Sequence, residues 1–205
     1  VAIGSNALDA LTIGNSNTAI GTASLGATVD GDFNTAVGYQ ALEVYEGADG
    51  EGNNTALGYH AGEFVSTGEN CTFVGSNAGK GNNSARTTGD NNTAVGKDAG
   101  LLLQGAGNSN TLMGYNAAGA LTTGDLNICI GASGGDALVD GTQNVIIGVG
   151  ADASATDATN QIMIGFDCQG IGDNYAVIGD GNTTRVYAAD DVGATLYAGS
   201  ATVET

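Results

Sequence analysis

Aliphatic–glycine steps recur along the chain at Gly4, Gly21, Gly38, Gly58, Gly75, Gly96, Gly114, Gly131, Gly148 and Gly165. The intervals are 17 residues, lengthened by three before Gly58, by four before Gly96 and by one before Gly114. Self-similarity at a fixed short period is the signature of a stacked repeat architecture, in which no single repeat buries its apolar face alone. The residue before each glycine is always aliphatic: Ile3, Ile20, Val37, Leu57, Val74, Val95, Met113, Ile130, Ile147 and Ile164. Three residues after the glycine the side chain stays small, from Ala7 and Ser24 through Ala41, Ala61, Ala78, Ala99 and Ala117 to Gly134, Ala151 and Cys168. Small side chains suit a place where two backbones or two subunits approach closely. Four residues before the glycine, Asn recurs at 17, 34, 54, 92, 110, 127 and 144. Stacked Asn amides can hydrogen-bond along a ladder and hold a turn. Seven residues before it a second glycine recurs (Gly14, Gly31, Gly68, Gly89, Gly107, Gly124, Gly141), which the reading assigns to a turn with positive φ.

Each repeat thus reads as turn, short strand, bend, short strand. Triplets such as Thr35-Ala36-Val37 are bounded by Asn and Gly. No window carries the i, i+3, i+4, i+7 spacing of an amphipathic helix. The expected fold is all-β: a β-solenoid or β-roll of about ten 17-residue coils. Strands stacked about 4.8 Å apart would make it a rod on the order of 50 Å long. The repeat occupies 1–179. After Gly165 the next step comes early, at Gly179, and residues 180–205 are expected to form a β-rich cap that locks a trimer. Later triplets (Ile128-Cys129-Ile130, Val145-Ile146-Ile147, Ile162-Met163-Ile164) place apolar side chains on both strand faces, and a thin coil buries only one. A second layer is therefore required, most simply further copies of the chain, with a homotrimer expected. Ile20, Val37, Leu57, Val74, Val95, Met113, Ile130, Ile147 and Ile164 are taken as the structural core. The small middle residues Ala19, Ala36, Ala56 and Ala94 are taken as contacts near an axis.

Two resemblances rest on particular residues. Asn34-Thr-Ala-Val-Gly-Tyr-Gln-Ala-Leu42, with echoes at 54–62 and 110–118, resembles the repeats of tailed-bacteriophage tail fibres, and is similar to those in heads of trimeric autotransporter adhesins. Tyr175-Ala-Val-Ile-Gly-Asp-Gly-Asn-Thr-Thr-Arg-Val-Tyr187, followed by 191–199, is similar to the segment preceding an intramolecular chaperone domain in phage fibres. In such fibres the chaperone assembles the trimer and cleaves itself off before a serine. The resemblance implies an extracellular, virion-borne homotrimer. Its partners would be a host cell-surface glycan or protein receptor and other tail-fibre or tail proteins. Val1 opens within a motif and no chaperone follows Thr205, so the chain reads as a piece or a matured product of something longer.

Composition narrows the chemistry. The 22 acidic residues face four basic ones, a formal net charge of −18, which leaves almost nothing to neutralise phosphates, so nucleic acid is not expected as a partner. No apolar run approaches the ~20 residues of a spanning helix, and membrane insertion is not expected. Cys71, Cys129 and Cys168 lack metal-ligand or redox spacing and read as small buried hydrophobes. His60, the single histidine, allows no Ser-His-Asp set and follows a repeat glycine in a polar slot, which reads as surface. Acids such as Asp32, Glu69, Asp90 and Asp125 follow the turn glycine and are expected along one solvated edge. No calcium-loop motif is complete. No catalytic residues, cofactor or metal site is therefore assigned. The expected role is structural and attaching, with Tyr39, Tyr59, His60, Lys80, Arg86, Lys97 and Tyr115 as receptor contacts. The two longest insertions, within 44–53 and 79–91, are expected as loops, the second offering Lys80 and Arg86 to an acidic glycan. The alternatives are a bacterial trimeric adhesin head and an ice-binding β-solenoid, the latter suggested by Thr18, Thr35, Thr55, Thr72, Thr93 and Thr111.

Overall fold

The computed structural model describes residues 1–48 and 50–183. The chain is an all-β parallel solenoid in which each repeat closes one coil. Every coil contributes one short strand: β1 (Ala2–Ile3), β2 (Thr18–Ile20), β3 (Thr35–Val37), β4 (Thr55–Leu57), β5 (Thr72–Val74), β6 (Thr93–Val95), β7 (Thr111–Met113), β8 (Ile128–Ile130), β9 (Val145–Ile147), β10 (Ile162–Ile164) and β11 (Ala176–Ile178). They form one eleven-stranded sheet in chain order. The register is strict: Thr18 stands beside Thr35, Ala19 beside Ala36, Ile20 beside Val37. The second strand expected in each repeat does not form among the described residues. Opposite the sheet the chain makes turns tied by isolated parallel bridges such as Asp32 to Gly52 and Thr142 to Thr159. Coil-to-coil backbone bonds continue there, as from Leu25 N to Ala41 O (3.0 Å) and Gly79 N to Ala99 O (2.9 Å).

Glycine ends each strand for two reasons at once. The repeat glycines have φ between +132° at Gly4 and +152° at Gly148, a conformation side chains resist. They also stack directly: a Cβ on Gly38 would lie 2.1 Å from the carbonyl oxygen of Gly58. The second glycine of the repeat corrects an expectation, because Gly14, Gly31, Gly68, Gly89, Gly107, Gly124 and Gly141 do not have positive φ. Close approach is the reason instead. A Cβ on Gly89 would meet Gly107 O at 2.0 Å, and one on Gly124 would meet Gly141 O at 2.2 Å.

The core runs through the middle of each strand. Ala19, Ala36, Ala56, Phe73, Ala94, Leu112, Cys129, Ile146 and Met163 are fully buried. Side chains alternate across a strand, so the flanking residues must face out. Ile20, Val37, Leu57, Val74, Val95, Met113, Ile130, Ile147 and Ile164 therefore do not form the interior of the single chain. Leu57 is 49% exposed and Met113 45%, while Val37, Val74, Val95, Ile130 and Ile147 are half-buried. The middle alanines are likewise coil interior and not axial contacts. The interior is narrow and fills by exchange between coils. Ala56 and Gly62 leave room that Phe73 of the next coil takes, since a Cβ on Gly62 would lie 2.8 Å from the Phe73 ring. A second interior column on the turn side holds Tyr45, Val65, Leu103, Leu121 and Leu138.

The Asn ladder is present, buried and vertical. Asn144 donates its Nδ2 to Asn127 Oδ1 (3.0 Å) and to Ala158 O (2.7 Å), and Asn127 repeats the pattern on Asn110 and Gly141. Each Oδ1 also accepts the backbone N–H of the next rung, as Asn127 does from Asn144 (3.1 Å). Cys71 and Gln161 continue the backbone pairing where Asn is missing. β11 is the last strand among the described residues. Of the expected locking segment 180–205, residues 184–205 lie outside them.

Candidate functional site

The position after each repeat glycine forms a column at the corner where the strand ends: Tyr39, Tyr59, Ser76, Lys97 and Tyr115 in successive coils. The next position adopts left-handed φ, with Gln40 at 54°, His60 at 55°, Asn77 at 57°, Asp98 at 59° and Asn116 at 53°. Polar residues predominate in this slot, and short Asn and Asp side chains tolerate that conformation better than most. The geometry fixes the corner side chains from the backbone outward.

Tyr39 and Tyr59 stack with centroids 5.5 Å apart and planes 14° from parallel. They are 45% and 54% exposed. His60 lies edge-on to both, 5.3 Å from Tyr39 and 3.9 Å from Tyr59. The expected surface position of His60 is corrected: it is 8% exposed, because its backbone turns the ring under the tyrosines. Its Nδ1 lies 2.5 Å from Oε2 of buried Glu63, which Lys80 Nζ approaches to 3.3 Å. Lys80 also stands 5.9 Å from the Phe64 ring centroid. Tyr39, Tyr59, His60 and Lys80 thus share one cluster, with Glu63 as a member that sequence reasoning missed. Its spacing three residues after the lone histidine was the available signal.

Lys97 and Tyr115 form a second group two coils further on. Lys97 Nζ contacts the Asp98 carboxylate and stands 5.4 Å from the Tyr115 centroid. Asn77 donates to Asp98 Oδ1 (2.8 Å). Burial works against the Asp98 charge, yet the hydrogen bonds of Lys97 and Asn77, with the ammonium charge, hold its carboxyl below the ordinary value. Arg86 is removed from the expected role with Lys80. Its guanidinium donates to Glu46 Oε1 at 2.7 Å, joining the two insertions. All three described cations (Lys80, Arg86 and Lys97) are paired with carboxylates, so the second insertion presents no free basic patch.

The turn acids are also corrected. Three of them, Asp32, Asp90 and Asp125, are not an idle solvated edge but caps for the coil before them, whereas the Glu69 carboxylate accepts no such bond among the described residues. Asp32 is buried and accepts the backbone N–H of Gly50 (2.8 Å) and of Asn15. Asp90 accepts from Glu69 N (2.9 Å) and Asp125 from Asn108 N (2.6 Å). The thiols are poor nucleophiles. Burial pushes Cys71 up to about 11 and Cys129 up to about 12.

A second surface is the outer face of the sheet. Its first column is Thr18, Thr35, Thr55, Thr72, Thr93 and Thr111, continued by Ile128, Val145 and Ile162. Its second is the aliphatic series from Ile3 to Ile178. None of the described strand positions of β1–β11 carries a charge, in a chain of net charge −18. No protein-family model, curated protein or solved structure matches the chain.

Proposed function

We propose that the chain is the shaft and attachment segment of a homotrimeric, tail-fibre-like assembly, with no catalytic role. The observation that carries this reading is the uncharged outer sheet face. Copies of net charge −18 repel one another, and this face offers apolar side chains with no charge along the whole described stack. Eleven strands about 4.8 Å apart, each at most three residues or about 10 Å across, make it roughly 50 Å long and on the order of 500 Å² in area, so the flanking corners would have to add to the ~800 Å² that each partner of a stable interface buries. Three such faces meeting along an axis would bury Ile130, Ile147 and Ile164 as the intersubunit core. The rod would then display its corner residues three-fold for avidity toward a host cell-surface receptor, outside the cell on a virion tail, joined to other tail proteins.

The test is the mass in solution of the purified chain, read at low and high salt. A trimer, strengthened as salt screens a formal charge of three times −18, supports the reading. A monomer at all concentrations and salt levels removes it. The same geometry would serve a bacterial adhesin head, which sequence beyond either end would separate from a fibre. One observation favours an ice-binding role: the Thr column of β2–β7 stands outward in strict register. Thermal hysteresis of the purified protein decides that alternative.

A further inference from the structure

We propose that the corner of coils four to six holds a slot for one ring of a neutral saccharide, stacked on Tyr59 over Ser76. This deepens the attachment reading above and rests on it only for its biological purpose.

The slot follows from three distances. Tyr39 covers one face of Tyr59 at 5.5 Å. A group on the opposite face, at the 3.9 Å of His60, would stand about 9 Å from Tyr39. His60 stands 5.3 Å from Tyr39, so it lies beside the stacked pair and not beyond it. The far face of Tyr59 therefore turns toward the next coil, where the corner residue is only Ser76. One coil further, Lys97 is drawn toward Asp98 and the Tyr115 ring. Two coil steps span about 10 Å, and subtracting the thickness of the ring and of the lysine stem leaves room for one flat or puckered ring.

The slot has the chemistry that sugars require. The C–H face of a pyranose packs on an aromatic ring, and its hydroxyls need donors and acceptors at the rim. Ser76, Asn77, Lys97 and Asp98 supply both. The Asn77–Asp98 bond and the Lys97–Asp98 pair fix these groups before a ligand arrives, which lowers the ordering cost. Buried His60 and Glu63 brace the platform from beneath, so Tyr59 is held on one face and one edge. Charge selects the class. Lys97 is neutralised by Asp98, the other described cations are paired, and the chain carries −18 overall. Sialylated, sulfated or uronic-acid sugars would be repelled, and neutral ones would not.

The experiment is saturation-transfer NMR on the full chain. Aromatic protons are irradiated in the presence of the methyl glycosides of glucose, galactose, mannose and N-acetylglucosamine, with 3′-sialyllactose and a proline-rich peptide as comparison arms. The expected result is transfer to one face of at least one neutral glycoside. Tyr59→Ala should weaken it about ten-fold, the loss of one good stacking contact. Ser76→Leu, which fills the slot while keeping Tyr59, should weaken it equally. Tyr175→Ala, far along the stack, should leave it unchanged. The proposal is overturned by absence of transfer to all four glycosides, by stronger transfer to sialyllactose or the peptide, or by an unaltered signal in both slot variants. The solution mass of the same samples separates the two readings. A trimer without transfer removes the slot alone, and a monomer with transfer removes the rod alone.

Discussion

Tyr45 lies wholly inside the third coil, its ring against Gly31 and its hydroxyl against Gly47, with no hydrogen-bond partner among the described residues. Burial, then the nearby Glu69 charge, raises its pKa and keeps the proton on. An unpaired buried hydroxyl costs more than it returns, so Tyr45→Phe should stabilise the chain by about 1 kcal/mol in urea unfolding. Asp32 is the opposite case, a buried carboxylate whose two oxygens serve backbone donors in two other coils. Asp32→Ala strands those N–H groups and should lower stability by about 1–3 kcal/mol. Asp152 adds a pH signature. Burial, chiefly, raises its pKa despite the N–H bonds from Ala153 and Ala137. The folded chain then holds this proton more tightly than the unfolded chain, so its contribution to stability falls as pH rises above the ordinary carboxylate value. Asp152→Asn should match the parent near pH 3 and gain relative stability by pH 7, read as the difference between two denaturation series.

A single coil is held by its neighbours more than by itself. The three-residue strands are too short to persist alone, and the Asn rungs lock each turn to the one before. Asn127 shows the stakes: its amide donates to Gly141 O and Asn110 Oδ1 and accepts from Asn144 N. With the bond that its Oδ1 also accepts from Asn144 Nδ2, Asn127→Ala removes four buried bonds and should cost about 2–4 kcal/mol, seen as an early loss of protection at Ile128 and Val145 in hydrogen exchange. The interior exchange between Phe73, Gly62 and Gly79 belongs to the same scale. Phe73 fills space left by glycines in its own coil and the coil before it, so neighbouring coils are not interchangeable cassettes.

Over the whole molecule, interior and exterior respond to different measurements. Ile147 is half-buried on the outer sheet face, whereas Ile146 beside it is fully buried in the coil. On the proposed trimeric arrangement, Ile147→Asp should leave the circular dichroism of the coil nearly intact and reduce the solution mass to that of one chain. If the mass stays trimeric, the sheet face is not the seam. In the thermal melt of the single chain Asp32→Ala should be the more damaging of the two changes, because its carboxylate is inside and serves two backbone N–H groups.

The period, the strand triplets and the Asn ladder were legible in the sequence because each is a vertical column, and a column in a parallel stack is a fixed residue spacing. Asn144 must meet Asn127 once the coils are 17 residues long. Which side of a triplet faces inward was not legible. Thr35-Ala36-Val37 alternates either way, and only closure of a narrow coil decides that Ala36 is inside and Val37 outside. The same closure set the fate of the polar residues. A left-handed backbone turn carried His60 under the tyrosines, and the stacking of turns made Asp32 a cap. Spacing along the chain determined which residues stack, and only the tertiary path, through coil width and turn geometry, decided which of those columns meets solvent.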